Sequence, residues 1–406
     1  MRILIYSINY FPELTGIGKY NAEMAEWLAD HGHEVTIITA PPYYPWWQVQ
    51  SPYRYWAYHT EQINKVKVYR CPLWVPRKPS GTKRLLHLLS FALTSMPLLL
   101  SQLYKRPDVI MVLEPTLFCV PAALGIARLS GTRTWLHVQD FEVDAALGLG
   151  LVKAKTAGRA AEKVERWLMN CFDRVSTISG KMLESLSIKG VAQEKNILLP
   201  NWVDAQEIFP LPASSIYRAE LGIDEDVLVA LYSGNLGEKQ GLEILMEAAR
   251  SLHSESRILF MICGEGVARE RLIKLGGDLH NVRWLPLQPM EKLNELLNLA
   301  DVHLLPQRAD VADLVMPSKL LGMLASGRPV LATAHAGTQV AQIVASCGKV
   351  VEPGDTQGVV QGLLELLHSP QERTMLGTAA RQAAYAWDKS NVLRRFEGQL
   401  NVLCSK

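Results

Sequence analysis

A glycine-rich segment with one lysine is the first candidate for chemistry. It reads Ser233-Gly-Asn-Leu-Gly-Glu-Lys-Gln-Gly241 and directly follows an apolar run at 227–233. Glycines let a backbone approach a ligand closely, and a lysine offsets the charge of a diphosphate. We therefore predict a phosphate cradle in which Gly237 and Lys239 contact the anion. The spacing is not that of a P-loop, which argues against hydrolysis of a nucleoside triphosphate.

Two more segments are candidates for the same ligand. The proline of Met316-Pro-Ser-Lys319 predicts a helix start, where Ser318, free backbone N–H groups and Lys319 would hold a phosphate. The alternative is an ordinary helix cap with a solvated lysine. A glycine turn, Cys263-Gly-Glu-Gly266, follows another apolar run, and there we expect Gly264 and Gly266 to face a nucleoside.

A second glycine-containing loop lies near the start of the chain. Gly16 and Gly18 fall between an apolar run at 2–7 and a helical pattern that continues to His31. Such a loop lets a ligand approach the backbone, and the N-terminus of the helix favours an anion. The third glycine of a dinucleotide fingerprint is replaced by Asn21, so NAD binding is weakly supported. The alternative is a plain strand-to-helix turn.

A histidine and an aspartate follow each other closely in His137-Val-Gln-Asp140. They fall at the carboxyl end of the apolar run at 133–138, where ligands bind in parallel α/β sheets. We predict that His137 and Asp140 act in the site, the alternative being a structural histidine. Metal binding is not predicted, because no second histidine is suitably spaced.

An aromatic run follows the second apolar run, in Pro41-Pro-Tyr-Tyr-Pro-Trp-Trp47. Exposed aromatic rings stack on sugar faces or lie at lipid head groups. Trp46 and Trp47 are therefore candidates for ligand contact. The alternative is a loop whose rings pack on one another.

Strand-length apolar runs alternate with amphipathic helical stretches along the whole chain, which predicts parallel sheets covered on both faces. A proline-rich stretch near 200–226 interrupts the alternation and predicts a linker. We expect an α/β protein of two Rossmann-like domains, 1–208 and 209–385, with a cleft between them. Strands are predicted at 2–7, 34–39, 66–70, 108–113, 133–138, 174–178, 196–199, 227–233, 257–263, 282–285, 301–305, 329–333 and 349–352.

Composition limits the class of protein. The 406 residues carry a net charge of +2, too little positive charge for a general nucleic-acid binder. Six cysteines lie far apart without a CxxC pair, which favours reduced thiols. The apolar run after Met1 and Arg2 is too short for a secretory signal, so a cytoplasmic protein is expected.

One apolar segment, 85–103, is nearly long enough to span a bilayer. A span there would cut the first predicted sheet in two, so we do not expect one. Basic residues flank the segment, namely Arg77, Lys78, Lys83, Arg84, Lys105 and Arg106. It is either a helix at an anionic membrane surface or a buried crossover helix, or it has a mixed role.

Taken in order, these motifs resemble the retaining GT-B glycosyltransferases of family four over nearly the whole chain. Within that family, the chain looks most similar to the colanic-acid-type exopolysaccharide transferases. The segments that carry the resemblance include FPELTGIGKYNAEMAEWLADHGHEVTIIT, LHVQDFEVDAALGLGL, PNWVD, SGNLGEKQGLE, ICGEG and MPSKLLGMLASGRPV.

The resemblance implies a role for each candidate residue. The domain at 209–385 would bind a nucleotide-sugar donor, with its diphosphate near Gly237, Lys239, Ser318 and Lys319 and its nucleoside near Gly264, Gly266 and Leu287. The domain at 1–208 would admit the acceptor past Gly16, Gly18, Trp46 and Trp47, and a helix at about 386–406 would cross back onto it. The catalytic residues would be His137, Asp140 and Lys239.

The chain departs from the family pattern at three positions. Asn235 stands where many members carry an arginine, and Val315 and Gly322 stand where they carry glutamates. Asp313 is the candidate to replace the first glutamate beside the donor sugar. The roles of these family residues therefore do not transfer directly.

The implied reaction moves a sugar, fucose from GDP-fucose in the colanic-acid group, to a polyprenyl-diphosphate-linked saccharide with retention. It requires no metal or other cofactor, and the enzyme would be peripheral on the inner face of the bacterial plasma membrane. Two alternatives stay open from the sequence: a non-hydrolysing sugar-nucleotide epimerase and a non-catalytic membrane adaptor of the same fold.

Overall fold

The computed structural model describes residues 1–13, 16–77, 80–114, 117–144, 155–309 and 317–405, without the side chains of 155–157 and 239. The chain forms two units. The first comprises Met1–Pro200 and Leu393–Lys406, and the second comprises Asn201–Val392.

The first unit is built on an eight-stranded sheet, counted within the described residues. The strand order is β3-β4-β2-β1-β5-β6-β7-β8, and all neighbours are parallel except β3 and β4. The order reverses between β1 and β5. The strands are β1 (Arg2–Tyr6), β2 (Glu34–Thr39), β3 (His59–Ile63), β4 (Val66–Arg70), β5 (Val109–Glu114), β6 (Arg133–Val138), β7 (Arg174–Thr177) and β8 (Asn196–Leu198).

The helices of this unit connect the parallel strands and bury one face each on the sheet. The apolar strands β1 and β5 are buried along nearly their whole length, as a sheet covered on both faces requires. The helices are α1 (Ile17–Asp30), α2 (Gly81–Lys105), α3 (Val120–Ser130), α4 (Lys155–Asn170) and α5 (Gly180–Ile188).

The second unit is also built on a sheet whose strands are connected by helices. This sheet has six strands, all parallel, in the order β11-β10-β9-β12-β13-β14. This order reverses between β9 and β12. Ligands in such sheets bind outside the carboxyl ends of the strands, at the point of reversal. The strands are β9 (Leu228–Ser233), β10 (Ile258–Cys263), β11 (Val282–Leu285), β12 (Val302–Leu305), β13 (Val330–Thr333) and β14 (Gly348–Val351).

The helices of the second unit pack on both faces of its sheet, and a last helix continues into the first unit. Phe396 of that helix packs edge-on against Trp135 of β6, with ring centroids 5.1 Å apart. The helices are α6 (Ile216–Glu220), α7 (Glu243–Ser251), α8 (Arg269–Gly276), α9 (Leu293–Leu299), α10 (Ser318–Ala325), α11 (Gln339–Val344), α12 (Thr356–His368), α13 (Pro370–Ala384) and α14 (Lys389–Cys404).

The helix α2 contains the apolar segment at 85–103. In the described part of the chain, it is the one helix long and apolar enough to cross a membrane by length and composition alone. One of its faces is buried in the first unit, through residues that include His87, Phe91 and Leu99. Its other face remains exposed, so α2 combines the features of a packed crossover helix and a surface helix.

Candidate functional site

The loops that follow β9, β10 and β11 form one hydrogen-bonded layer at the carboxyl edge of the second sheet. The N–H of Gly234 donates to the carbonyl of Cys263 at 3.0 Å, and the N–H of Leu236 donates to Glu265 at 2.9 Å. The N–H of Gly264 reaches the carbonyl of Leu285 at 3.2 Å. The β9 loop predicted to bind phosphate is therefore fixed in place by its two neighbours.

Two glycines are required by the contact between these loops. A Cβ atom on Gly264 would lie 1.9 Å from the carbonyl oxygen of Gly234, and one on Gly266 would lie 2.4 Å from that of Leu236. Gly264 also has a φ of +143°, which L side chains rarely adopt. These glycines thus have a packing function inside the loop layer, and their contact with a nucleoside stays a prediction.

Lys319 is a buried cation beside the β9 loop. Its Nζ atom lies 4.1 Å from the centroid of the Tyr232 ring. That nitrogen is inaccessible to solvent and has no hydrogen-bond partner among the described residues. Burial lowers the pKa of the ammonium to about 7. Because a buried charge is normally paired, this lysine marks a place where an anion would be stabilised.

The start of α10 adds backbone donors near Lys319. Pro317 is the N-cap residue and provides no side-chain hydrogen bond to the first turn, and Ser318 follows as an exposed residue. The first N–H groups of a helix carry partial positive charge and bind anions. Ser318 and Lys319 thus lie together at this helix start, as the sequence predicts.

The remaining residues of the β9 loop lie at the same carboxyl edge of the second sheet. Gly237 is half-buried and precedes a short 3-10 turn at Glu238–Gln240. The side chain of Lys239 and all of Asp313 lie outside the described residues. Sequence reasoning missed Arg308, whose side chain lies against Gly241 at the far end of the loop. Its position just after β12 is the signal that could have found it.

The β11 loop presents an exposed apolar side chain. Leu287 is 55% exposed. The hydroxyl of Tyr217 donates to the Gln288 side-chain oxygen at 2.7 Å, and the Gln288 amide donates to the carbonyl of Pro286 at 2.8 Å. The loop is therefore held by one contact of its own and one from Tyr217 of α6, and the assignment of Leu287 to a nucleoside stays a prediction.

In the first unit, a buried glutamate joins the glycine loop to the aromatic loop. One oxygen of Glu13 accepts the N–H groups of Tyr43 and Tyr44 at 3.0 Å each, and the other accepts the Asn9 amide at 2.8 Å. A Cβ atom on Gly18 would lie 2.8 Å from the Cβ of Glu13. Gly18 therefore makes room for this glutamate, while Gly16, with φ +64°, is the N-cap residue of α1.

The two tryptophans of the aromatic loop have different surroundings. Trp46 is 65% exposed. Trp47 packs edge-on against Tyr43 at 5.7 Å and lies 5.3 Å from the ring of His87 on α2. The guanidinium of Arg84 lies 5.5 Å from the centroid of the Trp47 ring. Trp46 is free to contact a ligand, whereas Trp47 also anchors the loop to α2.

His137 is buried within the first unit. Its Nδ1 lies 2.8 Å from the Ser176 hydroxyl on β7, and its Nε2 lies 3.0 Å from the side-chain amide of Gln139. Burial lowers the pKa of the imidazole to about 3, so the ring is neutral near pH 7. Asp140 follows as an exposed residue in the loop. The catalytic role of both residues stays a prediction.

The sequence analysis did not identify a cluster of carboxyl groups near the carboxyl ends of β5 and β6. Glu114 is fully buried, and neither of its oxygens has a partner among the described residues. Glu142 accepts the N–H of Leu117 at 2.6 Å, and burial raises its pKa to about 7. Glu165 pairs with Lys189 at 2.7 Å. Burial, and then repulsion between these carboxylates, raises the pKa of Glu114 and of Glu142, which favours the protonated form in part of the cluster.

Comparison with known proteins places both units in one enzyme class. Residues 15–202 match the family model described as "Glycosyl transferase 4-like domain", and residues 214–383 match "Glycosyl transferases group 1". The chain is 44% identical to the "Putative colanic acid biosynthesis glycosyl transferase WcaI" of Escherichia coli K12, over 98% of each chain.

Solved structures share the fold at low sequence identity. Sucrose-phosphate synthase from Thermosynechococcus elongatus is 17% identical, with a TM-score of 0.76 over 100% of this chain and 99% of that one. Anabaena HepE in complex with UDP-glucose is 14% identical, with a TM-score of 0.71 over 99% of this chain and 100% of that one. The predicted α/β fold with two parallel sheets is thereby confirmed, and the chain belongs to the GT-B glycosyltransferases of family four.

Proposed function

We propose that this glycosyltransferase moves a sugar from a nucleoside diphosphate donor to a lipid-linked exopolysaccharide repeat unit, with retention of configuration. The second unit, taken as 209–385, binds the donor. The first, taken as 1–208 with the helix at about 386–406, binds the acceptor. The enzyme acts at the cytoplasmic face of the plasma membrane and needs no metal.

The observation that carries the proposal is the buried ammonium of Lys319, which has no partner among the described residues. It lies near Gly234 at the carboxyl end of β9, because a Cβ atom on that glycine would be 3.4 Å from the Cδ of Lys319. A diphosphate in this place would supply the missing counter-charge. Gly237, Lys239 and Ser318 complete the diphosphate site in this proposal.

The reaction breaks the bond between the anomeric carbon and the diphosphate oxygen and forms a bond from that carbon to an acceptor hydroxyl. The acceptor proton passes to the departing diphosphate. Negative charge grows on the diphosphate in the transition state, and fixed cations and helix N–H groups stabilise it. His137 and Asp140 orient the reacting groups, and Asp313 contacts the donor sugar.

The relatives support the choice of substrates. The Escherichia coli relative is named for colanic acid biosynthesis, and the Anabaena structure contains UDP-glucose. A nucleotide sugar is therefore the proposed donor, with GDP-fucose first among the candidates to test. Gly264, Gly266 and Leu287 face its nucleoside, while Gly16, Gly18, Trp46 and Trp47 lie on the acceptor side.

The exposed face of α2 supports binding to an anionic membrane surface. Leu86 and Leu93 are 55% and 63% exposed on this helix. The hydroxyl of Tyr58 donates to the carbonyl of Thr94 at 2.6 Å, which holds a half-exposed aromatic ring beside the leucines. Basic residues lie at both ends of the helix, including Lys83 and Arg106. Apolar side chains with basic ends favour an interfacial helix near anionic lipids.

The decisive experiment is a thermal-shift screen of the purified protein against GDP-, UDP- and dTDP-sugars, followed by a transfer assay with a polyprenyl-diphosphate saccharide. We expect stabilisation by one nucleotide class and product formation only when acceptor is present. Donor conversion without acceptor would point to an epimerase instead. Failure to bind any nucleotide sugar would contradict the proposal and favour an adaptor.

A further inference from the structure

Tyr232 is a fully buried tyrosine near the carboxyl end of β9. It belongs to one core cluster with Leu228 and Ala230, because alternate residues of a strand share one face of the sheet. Burial raises the pKa of its phenol, so the hydroxyl is protonated and donates a hydrogen bond. A buried tyrosine hydroxyl usually has a partner, and here that partner belongs to the proposed donor site.

The hydroxyl of Tyr232 fixes one peptide of the β9 loop. It donates to the carbonyl oxygen of Asn235 at 2.7 Å. The N–H of the same peptide belongs to Leu236 and donates to the carbonyl of Glu265 at 2.9 Å. Both polar groups of the peptide are therefore bonded, which restricts its rotation. Gly237, a proposed contact of the diphosphate, follows this peptide directly, so the hydroxyl helps to fix the backbone that leads to it.

The ring of the same tyrosine contacts the ammonium of Lys319. The Nζ atom lies 4.1 Å from the ring centroid, a distance at which the face of an aromatic ring attracts a cation. A Cβ atom on Gly234 would lie 3.4 Å from the Cδ of Lys319 and 3.9 Å from the hydroxyl oxygen of Tyr232. The lysine, the tyrosine and the backbone of the loop therefore meet at this glycine.

We propose that Tyr232 is a positioning residue for the donor diphosphate, an inference that rests on the proposed nucleotide-sugar function. Its hydroxyl fixes the peptide before Gly237, and its ring stabilises the charged form of Lys319 beside Gly234. These two proposed contacts of the diphosphate come from different parts of the chain, the β9 loop and α10, and one side chain positions both. Tyr232 acts through these two partners and does not itself contact the nucleotide.

The test separates the two actions of Tyr232. Tyr232→Phe removes the hydroxyl and keeps the ring, whereas Tyr232→Leu removes both. Tyr6→Phe is the control for the first variant, because it deletes a buried hydroxyl that is hydrogen-bonded to Ser95 in the first unit. Phe260→Leu is the control for the second, because it removes a buried ring from the neighbouring strand β10.

The measurement is calorimetric titration of UDP and GDP into each protein between pH 6 and pH 8.5, in buffers of different ionisation enthalpy. It gives the affinity and the number of protons taken up per nucleotide bound. Because burial lowers the pKa of Lys319 to about 7, an anion that binds beside it draws a proton onto the lysine. The pH of half-maximal uptake therefore reports how well the free protein stabilises the ammonium.

We expect Tyr232→Phe to weaken binding of the preferred nucleoside diphosphate by about three- to tenfold, as for one lost hydrogen bond. Its pH of half-maximal uptake should stay that of the wild type. Tyr232→Leu should bind more weakly still, and its half-maximal uptake should move to lower pH by roughly 0.5–1 pH unit, because the ammonium loses the ring. Both controls should follow the wild type in affinity and in proton uptake.

Wild-type affinity in Tyr232→Phe would overturn the role of the hydroxyl. Half-maximal uptake at or above the wild-type pH in Tyr232→Leu would overturn the role of the ring, and equal losses in the controls would make Tyr232 a structural residue only. If Tyr232→Leu does not fold, the affinity of Tyr232→Phe decides the proposal. A wild type that binds neither nucleotide, nor their sugars, would instead overturn the proposed function.

Discussion

The ammonium of Lys319 lies over the ring of Tyr232, 4.1 Å from its centroid, and this contact takes the place of an ion pair. A cation–π contact offsets only part of the cost of burying a charge. Burial lowers the pKa of Lys319 from 10.5 to about 7. In the unliganded protein, the charged form of Lys319 is therefore destabilising, and it lies where the donor is proposed to bind.

Replacement of Lys319 by methionine should stabilise the free protein while weakening nucleotide binding. The folded protein binds the proton of the Lys319 ammonium less tightly than the unfolded chain does. Lys319 therefore destabilises the folded state more and more as pH falls from 10.5 to 7. At pH 6.5 we expect Lys319→Met to raise the free energy of unfolding by about 2 kcal/mol. Chemical denaturation at pH 6.5 and pH 9.5 measures this gain, which should shrink at the higher pH.

The same variant should lose at least about tenfold in affinity for the preferred nucleoside diphosphate. Lys292, half-exposed near the start of α9, provides the control as Lys292→Met, which should show neither effect. A Lys319→Met protein that is less stable and binds nucleotide normally would identify the lysine as structural.

Nucleotide binding should also take up a proton in mildly alkaline solution. A diphosphate beside Lys319 favours the charged ammonium and raises the pKa of a group that starts near 7. Between pH 7.5 and 8.5 we expect part of a proton to be taken up per nucleotide bound. Titration calorimetry in buffers of different ionisation enthalpy detects this uptake. The uptake should disappear in Lys319→Met, and its persistence there would assign the proton to another group.

The carboxyl cluster predicts a loss of stability as pH rises. The pKa of Glu142 is raised by burial from 4.5 to about 7, so the folded state binds this proton more tightly than the unfolded chain. Protonated Glu142 therefore contributes its full stabilisation of the folded state below pH 4.5, and this stabilisation is lost by about pH 7. Glu142→Gln keeps an oxygen to accept the N–H of Leu117 and removes the titration.

We expect the fall in unfolding free energy between pH 5 and pH 8 to be smaller in Glu142→Gln than in the wild type, by on the order of 3 kcal/mol. Glu194, an exposed glutamate of the same unit, supplies the matched variant Glu194→Gln, which should follow the wild type. Parallel pH profiles for all three proteins would contradict the assignment.

The packing of Gly18 against Glu13 predicts that a single methyl group is harmful there. In Gly18→Ala the new Cβ would lie 2.8 Å from the Cβ of Glu13, so the glutamate and the aromatic loop it holds must shift. We expect a loss of about 1–3 kcal/mol in unfolding free energy, as in other overpacked sites. Gly125 in α3 has no atom within 4 Å of its added Cβ, and Gly125→Ala should stabilise. Equal effects of the two substitutions would argue against this packing.

The sequence predicts most of the strands because continuous apolar runs are a strong signal in buried parallel sheets. It misses β3, His59–Ile63, whose polar residues form an exposed antiparallel strand beside β4. It also finds the β9 loop and the start of α10, because glycine and proline mark backbone geometry. The buried state of Lys319 and the cluster around Glu114 depend on distant parts of the chain, so neighbouring residues give no signal for them.

Membrane binding by α2 should depend on its exposed leucines. Leu86 and Leu93 are 55% and 63% exposed, and transfer of such side chains into the lipid interface is favourable by roughly 1 kcal/mol each. The double variant Leu86→Ser and Leu93→Ser should therefore reduce partitioning onto vesicles of phosphatidylglycerol and phosphatidylcholine by about tenfold or more. Vesicle sedimentation at low and physiological salt measures the change.

A charge variant separates the electrostatic part of the same interaction. Lys83→Glu at the basic end of α2 should weaken binding mainly at low salt, because salt screens the attraction to anionic lipids. The leucine variant should lose binding at both salt concentrations. Leu129, 77% exposed on α3, provides the control, since Leu129→Ser removes an even more exposed leucine outside α2. If Leu129→Ser reduces co-sedimentation with vesicles as much as the α2 leucine variant does, exposed leucines contribute to binding wherever they lie, and α2 is not the docking surface.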